Sequence, residues 1–489
     1  MDLNTCDHDP FIEAPSEEGL KPSRQPPRYT GTPWKIFISD VKLFFEHLLY
    51  LPYIFFPLWP TRSGQLCELY PSRENLIDIA YHSVLFVTQL GFLVSLATLA
   101  FLPTFTYLGY VAIFFAVNEL VCWHFNRGIP RSGLKSTEDA WSRRWPQRDN
   151  EAWIFLNGIC VGQNWFQKNI DRISRTFHRP VVGVHNRTAG VVFDLVQCLI
   201  QRALLYATQD VRGCYVLVKK ALLDQRKTKV VLILHSQGGI EGGMIIDWLL
   251  DEMPLRELQK LEVYTFGNLA NHFSNPCRGI DTETPVIPHI EHYVNEKDFA
   301  SRFGVLNFTK HYTQNENRFA GKVFISRSGG HQLNQHYLDG MFPLDKSLRK
   351  ARRAREGDFM NHKVRIRRNG TIKETTREQL PRGLEIVNDG EVTTAATEPE
   401  AGPSNGDFGI TNEDEEEGWI EPDHKPSQGD SNGSEKTKAQ EITPNQVPRM
   451  GDLSRLWKYR NGGLPDDSNL PNSLLVQDAT VSKSVFNGI

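Results

Sequence analysis

The pattern of hydrophobic and polar positions changes most abruptly at residues 79–118. These 40 residues contain no Asp, Glu, Lys or Arg. At a rise of about 1.5 Å per residue, a helix of that length extends for about 60 Å, which is twice the thickness of a bilayer hydrocarbon core. Pro103 lies near the middle, where it would break a helix. The pattern therefore predicts a hairpin of two membrane helices, residues 79–101 and 105–125, with residues 102–106 at its tip.

A second apolar region, residues 34–59, precedes this hairpin. Lys35, Lys42 and Glu46 fall on one narrow arc of a helix with 3.6 residues per turn, and apolar side chains cover much of the remaining surface. The end of the region is aromatic and contains Pro52 and Pro57. This pattern is typical of an interfacial helix followed by a bent apolar segment, and a helix packed on a soluble domain is the alternative. We therefore assign residues 34–125 to a membrane region.

Residues 151–345 have the pattern of an α/β domain, in which short apolar runs alternate with helix-length segments. Continuous Val, Ile and Leu runs of this kind predict a mostly parallel sheet with helices on both faces. The predicted strands are residues 153–156, 180–184, 230–234, 261–266, 290–294 and 322–326, and the clearest helices are residues 191–206 and 240–250.

The remaining segments are polar and indicate disorder or linkers. Residues 1–33 are rich in Pro and charge, and residues 126–150 form a polar linker. Residues 346–368 contain ten Lys or Arg, and a stretch rich in Glu, Asp, Pro, Gly and Ser follows. We expect residues 346–489 to be a basic segment and a disordered tail, with order lost from residue 356 onward except for a short helix at 452–459.

Composition excludes several classes of function. The 489 residues include 58 acidic and 55 basic side chains, and this balance argues against a nucleic-acid-binding protein. The seven cysteines form no C-x-x-C pair, so neither the commonest zinc spacing nor a disulfide framework is indicated. The sequence implies no metal and no organic cofactor.

The basic residues that flank the predicted hairpin indicate its orientation. By the positive-inside rule, both ends of the hairpin and the attached domain face the cytoplasm. We expect the membrane to be that of the endoplasmic reticulum or a lipid droplet. The flanking basic residues are Arg62, Arg73, Arg127, Arg131, Lys135, Arg143, Arg144 and Arg148.

The most informative motif is V-V-L-I-L-H-S-Q-G-G-I at residues 230–240. A buried strand is followed by Ser236, and Gly238 and Gly239 then begin an apolar-faced helix. This order predicts a nucleophile elbow, a sharp turn that presents a serine hydroxyl at a helix N-terminus. The exposed N–H groups and the positive end of the helix dipole can stabilise an oxyanion there, and the two glycines would let the helix approach the strand closely.

This motif resembles the G-x-S-x-G signature of the α/β-hydrolase superfamily, which includes serine lipases and esterases. The chain departs from it at Leu234, which stands in place of the first Gly and would crowd the turn. We expect either a slightly more open elbow or a less active site. Two further motifs resemble fungal and plant triacylglycerol lipases, V-N-x-x-D-x-x-x-R at residues 294–302 and Y-T-F-G at residues 264–267.

The resemblance implies a triad in the chain order Ser, acid, His. Asp298 is the expected acid, with Glu296 as its competitor. His331 follows a Gly pair in a loop and is the expected base, whereas His336 is the alternative on a predicted helix.

An oxyanion hole requires a backbone donor from a second loop. By analogy with the family, the N–H of Ile159 or its neighbour would join that of Gln237. We expect His235, beside the nucleophile, to support the elbow.

Together these features predict a membrane-anchored serine hydrolase that cleaves a lipid-like or other acyl ester through an acyl-enzyme. The alternative is a catalytically inactive hydrolase-like membrane scaffold, whose tail binds partners that the sequence does not identify. A nucleotide-binding loop is disfavoured, because the G-x-x-x-x-G-K-[ST] and G-x-G-x-x-G spacings are absent at this strand end.

Overall fold

The computed structural model describes most of the chain and contains a ten-stranded mixed sheet. The described residues are 9–13, 31–139, 142–277, 285–309, 318–368, 371–381, 384, 386–387 and 445–467. The strands are β1 Phe11–Glu13, β2 Leu134–Lys135, β3 Glu151–Leu156, β4 Val181–Val184, β5 Lys229–His235, β6 Leu261–Phe266, β7 His289–Asn295, β8 Lys322–Ser326, β9 Arg365–Arg368 and β10 Thr371–Glu374. Their order in the sheet is β10-β9-β1-β8-β7-β6-β5-β3-β4-β2.

The helices cover both faces of this sheet and also form a separate hairpin. They are α1 Pro33–Glu46, α2 Arg73–Thr98, α3 Thr104–Asn126, α4 Gln163–Phe177, α5 Val191–Leu204, α6 Gln209–Leu223, α7 Gln237–Glu252, α8 Leu255–Leu258, α9 Phe299–Phe303, α10 Val305–Phe308, α11 Asp339–Met341, α12 Met450–Leu453 and α13 Arg455–Lys458. A π-helical turn at Leu333–Leu338 and short 3₁₀ turns, including Leu48–Ile54 and Gly64–Leu66, complete the described structure.

The predicted α/β class with a mostly parallel sheet is confirmed. The six predicted strands are β3 to β8, and they form the parallel centre of the sheet. Most of their residues are buried because both faces of the sheet are covered. In β5, Val230, Leu232 and Leu234 enter the core that contains α6 and α7, whereas Val231 and Ile233 enter the core that contains α4.

The order of these strands creates a crevice at the carboxyl ends of β3 and β5. The chain moves from β3 outward to β4, and then returns to place β5 on the other side of β3. Ligand sites in open α/β sheets lie at such a reversal, outside the carboxyl ends of the strands. Ser236 and Gln237 follow β5, and the loop with Ile159 follows β3. Both predicted oxyanion donors, Gln237 and Ile159, therefore lie at this crevice.

Helices α2 and α3 correspond to the predicted hairpin, and each is long and apolar enough to cross a membrane. Pro103 immediately precedes α3, so the chain turns where the sequence predicted. The middle of the hairpin is attached to the α/β domain through polar side chains. Gln89 Nε2 lies 2.8 Å from Asn118 Oδ1 on the other helix and 2.6 Å from the Ala189 carbonyl oxygen. Gln89 thus serves as an interhelical polar group and also joins the hairpin to the domain.

Helix α1 and the 3₁₀ turn that follows it occupy the predicted interfacial segment. One side of α1 packs on α5, where the buried Asp40 carboxylate accepts two 2.9 Å hydrogen bonds from the buried Arg202 guanidinium. The other side exposes apolar side chains, among them Trp34 and Phe45. The alternative of a helix packed on the domain is therefore correct for one side of α1, while the other side keeps the apolar character of an interfacial helix.

Three segments predicted to lie outside the domain contribute to the sheet. Strand β1 pairs with β8 and β9, so the prediction of disorder for residues 1–33 is wrong at residues 11–13. Strand β2 lies in the predicted linker and pairs with β4, and β9 and β10 extend the far edge. These strands have two to four residues each, which is too short to establish a period of alternation.

The prediction of a disordered tail is also wrong for residues 445–467. Helices α12 and α13 replace the single helix expected at 452–459 and bury Leu453, Leu456 and Trp457 against the sheet. Arg455 donates to Glu262 Oε1 at 2.9 and 3.0 Å, and both side chains are buried. This stretch is short compared with the polar tail around it, so the composition of the whole tail concealed it. Residues 388–444 and 468–489 of the predicted tail lie outside the described residues.

Arg455→Ala should strongly destabilise the α/β domain. The substitution would leave the Glu262 carboxylate buried without its main counter-ion, a change that typically costs about 3–5 kcal/mol. We expect a lower free energy of unfolding in chemical denaturation of the detergent-solubilised chain. Arg226→Ala, which removes an exposed ion pair with Asp224, should change this free energy much less, because water and salt screen exposed charges. Equal effects of the two substitutions would contradict a docked C-terminal segment.

Candidate active site

Ser236 occupies the strained turn between β5 and α7. Its backbone angles are φ 58° and ψ −120°, a conformation that non-glycine residues rarely adopt. Two glycines after Ser236 allow close packing around this turn, as the sequence predicted. A Cβ on Gly238 would lie 2.6 Å from the Leu156 carbonyl oxygen, and one on Gly239 would lie 2.2 Å from Asn268 Oδ1. The two glycines therefore bring the start of α7 against the ends of the neighbouring strands.

Leu234 does not prevent this turn from forming. Its side chain points away from the turn into the core beneath α7, where it is completely buried. A Cβ on Gly242, in the second turn of α7, would lie 2.2 Å from Leu234 Cδ1. Gly242 thus provides the space that Leu234 fills, and the elbow retains its sharp geometry without glycine at position 234.

A continuous hydrogen-bond chain joins the three side chains predicted as the triad. His331 Nε2 lies 2.8 Å from Ser236 Oγ, and His331 Nδ1 lies 2.9 Å from Asp298 Oδ2. Asp298 follows β7, and His331 lies in the loop after β8. The carboxyl ends of three parallel strands therefore deliver the three groups to one edge of the sheet. With the Nδ1 proton directed at the carboxylate, Nε2 is left to accept the hydroxyl proton of Ser236.

The surroundings of Asp298 favour its ionised form. Burial by itself would raise the pKa of this carboxyl, but the charge of His331 and the hydrogen bonds from His331, Tyr337 and the Ala300 N–H outweigh burial and lower the pKa. Tyr337 Oη donates to Asp298 Oδ2 at 2.7 Å, and Ser301 Oγ donates to the same oxygen at 3.0 Å. An ionised Asp298 can stabilise positive charge on His331.

Tyr337 and Ser301 were not singled out from the sequence. Tyr337 lies in a π-helical turn, and Ser301 lies one helical turn after Asp298. Only the position of Ser301, three residues after the expected acid Asp298, offered a local signal.

The other candidate residues have separate roles. His336 accepts from the Gln332 N–H at Nδ1 (2.9 Å) and donates from Nε2 to the Pro57 carbonyl (2.8 Å), so neither ring nitrogen is directed at Ser236. His235 Nε2 donates to the carbonyl of His331 at 2.8 Å, and the two rings stack. His235 therefore supports the loop that carries His331. Glu296 faces Arg327 and Arg367 and does not approach His331.

The loop after β3 lies directly against Ser236. A Cβ on Gly158 would be 2.4 Å from Ser236 Cβ, so only glycine allows this approach. The following residue, Ile159, is one predicted oxyanion donor. Gln237, the other, is the first residue of α7, whose N–H has no acceptor within the helix. The two predicted amides thus belong to segments that flank the serine hydroxyl.

An amide network that was not predicted from the sequence fixes these two segments to each other. Asn186 Nδ2 donates to Gln237 Oε1 at 2.6 Å, and the Asn186 N–H donates to Asn157 Oδ1 at 2.8 Å. Gln237 Nε2 in turn donates to Gln201 Oε1 at 2.8 Å. The residues come from four separate elements, so their proximity depends on the tertiary fold.

Asp194 fixes the neighbouring part of the loop from the first turn of α5. Its carboxylate accepts from the Cys160 N–H at 3.0 Å, the Ala189 N–H at 2.7 Å and Thr188 Oγ1 at 2.6 Å. Burial raises the pKa of this carboxyl to about 6, although these hydrogen bonds oppose the rise.

Access to the site is closed, since Ser236 is 2% exposed and His331 is 7% exposed.

Comparison of the chain with protein-family models, with curated proteins and with solved structures found no match. The functional argument therefore rests on the geometry of the site itself.

Gly158→Ala should disrupt the site without unfolding the chain. The added methyl group would displace either Ser236 or the loop that carries the Ile159 amide. We expect the labelling rate of Ser236 by a fluorophosphonate probe to fall about 10²-fold or more, as for loss of an oxyanion donor. The control is Gly213→Ala, where a new Cβ meets no atom within 4 Å. A similar rate in both variants would contradict the close approach of the two segments.

Asp194→Asn should remove one pH-dependent contribution to stability. The unfolded chain titrates this carboxyl near pH 4, so its contribution is fully present below about pH 4 and is lost as the pH rises through about 6. A difference of two pKa units corresponds to about 2–3 kcal/mol. We expect the change in unfolding free energy between pH 4 and pH 7 to differ by this amount between wild type and Asp194→Asn. Identical pH dependence would contradict the raised pKa.

Proposed function

We propose that this chain is a membrane-anchored serine hydrolase of the α/β-hydrolase class, which cleaves ester bonds in a lipid-like substrate. The observation that carries the proposal is the hydrogen-bond chain from Asp298 through His331 to Ser236 at a strained β-to-α turn. A serine hydroxyl is a weak nucleophile until an adjacent base accepts its proton, and a third group must orient that base. This arrangement supplies all three.

In the proposed reaction, Ser236 Oγ attacks the ester carbonyl carbon while its proton moves to His331 Nε2. Asp298 stabilises the resulting imidazolium. The N–H groups of Gln237 and Ile159 donate to the oxyanion that forms on the carbonyl oxygen. His331 then protonates the departing alcohol, which leaves an acyl group on Ser236. Water then attacks this acyl-enzyme while it loses a proton to His331, and His331 returns that proton to Ser236 Oγ as the acid leaves.

The proposed substrate class and location follow from the hairpin. Two helices that are long and apolar enough to cross a membrane would confine the site beside lipid esters. The basic residues at both ends of the hairpin favour an orientation with the domain in the cytoplasm. The endoplasmic reticulum and the lipid droplet are the membranes proposed for such an arrangement.

The alternative is an inactive hydrolase-like scaffold whose tail binds partners. The nearly complete burial of Ser236 is the observation that favours it, because a substrate must first gain access. The accommodation of Leu234 beside Gly242 weakens the sequence argument for inactivity.

Labelling by a fluorophosphonate probe in membranes discriminates between these functions. Wild type should react, Ser236→Ala should not, and Asp298→Asn should lower the rate roughly 10⁴-fold because the tautomer of His331 is lost. Ser347→Ala, at an exposed serine, is the control and should react as wild type does. Absence of labelling in folded wild type, or equal labelling of Ser236→Ala, would favour the scaffold.

A further inference from the structure

The segment between α1 and the hairpin has two different sides. Residues 48–61 contain no Asp, Glu, Lys or Arg. We call residues 48–59 the apolar collar. Its outer side exposes large apolar side chains. They are Leu48 (43% exposed), Leu49 (86%), Phe55 (47%), Phe56 (51%), Leu58 (43%) and Trp59 (62%).

The inner side of the apolar collar is hydrogen-bonded to the segment that follows His331. Gln335 Nε2 donates to the carbonyl of Leu58 at 2.8 Å, and His336 Nε2 donates to that of Pro57 at 2.8 Å. Gln332 Nε2 donates to a third collar carbonyl, that of Ile54, at 3.3 Å. The backbone of the collar is therefore an acceptor surface for the loop of the proposed base.

Two aromatic side chains of the collar add packing contacts to these hydrogen bonds, one with the loop of His331 and one with the helix that follows Asp298. The ring of Tyr53 lies so close to Gly329 that a Cβ there would be 2.7 Å from Tyr53 Cδ1. Arg302, shortly after Asp298, lies over the ring of Tyr50 at 3.9 Å. The collar thus contacts both loops that carry the partners of Ser236.

A short covalent and hydrogen-bonded path leads from the collar to the serine. Gln335 and His336 precede Tyr337, which donates to Asp298 Oδ2, and Asp298 orients His331. Glu68, just beyond the collar, accepts from the N–H groups of Asn334 and Gln335 at 2.8 and 3.1 Å. The π-helical turn that carries Tyr337 is therefore held by segments that lead directly into the hairpin.

The position of the exposed side identifies the kind of surface that covers it. The collar connects α1 to α2, and both helices pack on α5. Apolar exposure continues from the outer side of α1 to the end of α5, where Leu204 and Tyr206 are 58% and 56% exposed. A contiguous apolar and aromatic surface at the base of two membrane-length helices is typical of contact with the bilayer interface.

We propose that the outer side of the apolar collar lies in the interfacial layer of a phospholipid bilayer, and that this contact holds the loop of His331 in its reactive position. The coupling to His331 rests on the proposed hydrolase function, whereas the bilayer contact does not. Bilayer contact therefore regulates the same site whose activity is proposed above.

The bilayer contact is tested with nitroxide labels on the full chain in phosphatidylcholine vesicles. Labels at Leu49→Cys and Phe56→Cys should collide more with oxygen than with a water-soluble nickel chelate. Arg226→Cys, at the opposite ends of the strands with its side chain 87% exposed, is the control and should show the reverse. The unsubstituted chain corrects for native cysteines. Preferential collision with nickel at 49 and 56, or shielding from both reagents, would overturn the bilayer as partner.

The coupling to His331 is tested by fluorophosphonate labelling in the same vesicles. Phe55→Ser combined with Phe56→Ser, and separately Gln335→Ala, should lower the labelling rate about fivefold or more, at the lower end of coupling between sites. Arg226→Ala should not change it. Unchanged rates in the first two variants would overturn the coupling. Complete absence of labelling in every form, together with lipid-embedded labels, would instead reject the hydrolase and retain the bilayer contact.

Discussion

The buried carboxylate of Asp298 is the group on which the arrangement of the site depends. An ionised carboxylate without access to water is costly unless donors surround it. Here the donors are the His331 ring, Tyr337, Ser301 and the Ala300 N–H. To satisfy this one charge, the loop after β8, the π-helical turn and the start of α9 must all converge. The same convergence places His331 Nε2 against Ser236.

The opposite side of Ser236 is organised by close backbone approach and by neutral amides. Gly158 lets the loop after β3 touch the serine, and Asn186 ties that loop to Gln237. One side of the hydroxyl therefore contains ionisable groups that are suited to move protons. The other side contains N–H groups suited to bind negative charge. This division is what acyl transfer requires of a site.

The sequence predicted the elements whose signals are local and strong. The six central strands are long apolar runs, and the hairpin is an uncharged stretch interrupted by Pro103, so both were recognisable. The three triad positions were predicted by motif order, and the structure brings them within hydrogen-bond distance, while their catalytic role stays a prediction. Gly242 could not be foreseen as the partner of Leu234, because one lies in a strand and the other in the helix above it. The contribution of Arg455 was hidden for the same reason, since its partner Glu262 is nearly two hundred residues earlier.

The participation of residues 445–467 in the α/β domain has a consequence for biosynthesis. A ribosome completes the hairpin and the central strands first, and the guanidinium that neutralises Glu262 emerges only after them. The part of the sheet that α12 and α13 cover stays open until that segment has been made. Long sequence separation between contacting segments slows folding and leaves apolar surface open to aggregation. Final closure of the domain is thereby postponed until residues 445–467 have been translated.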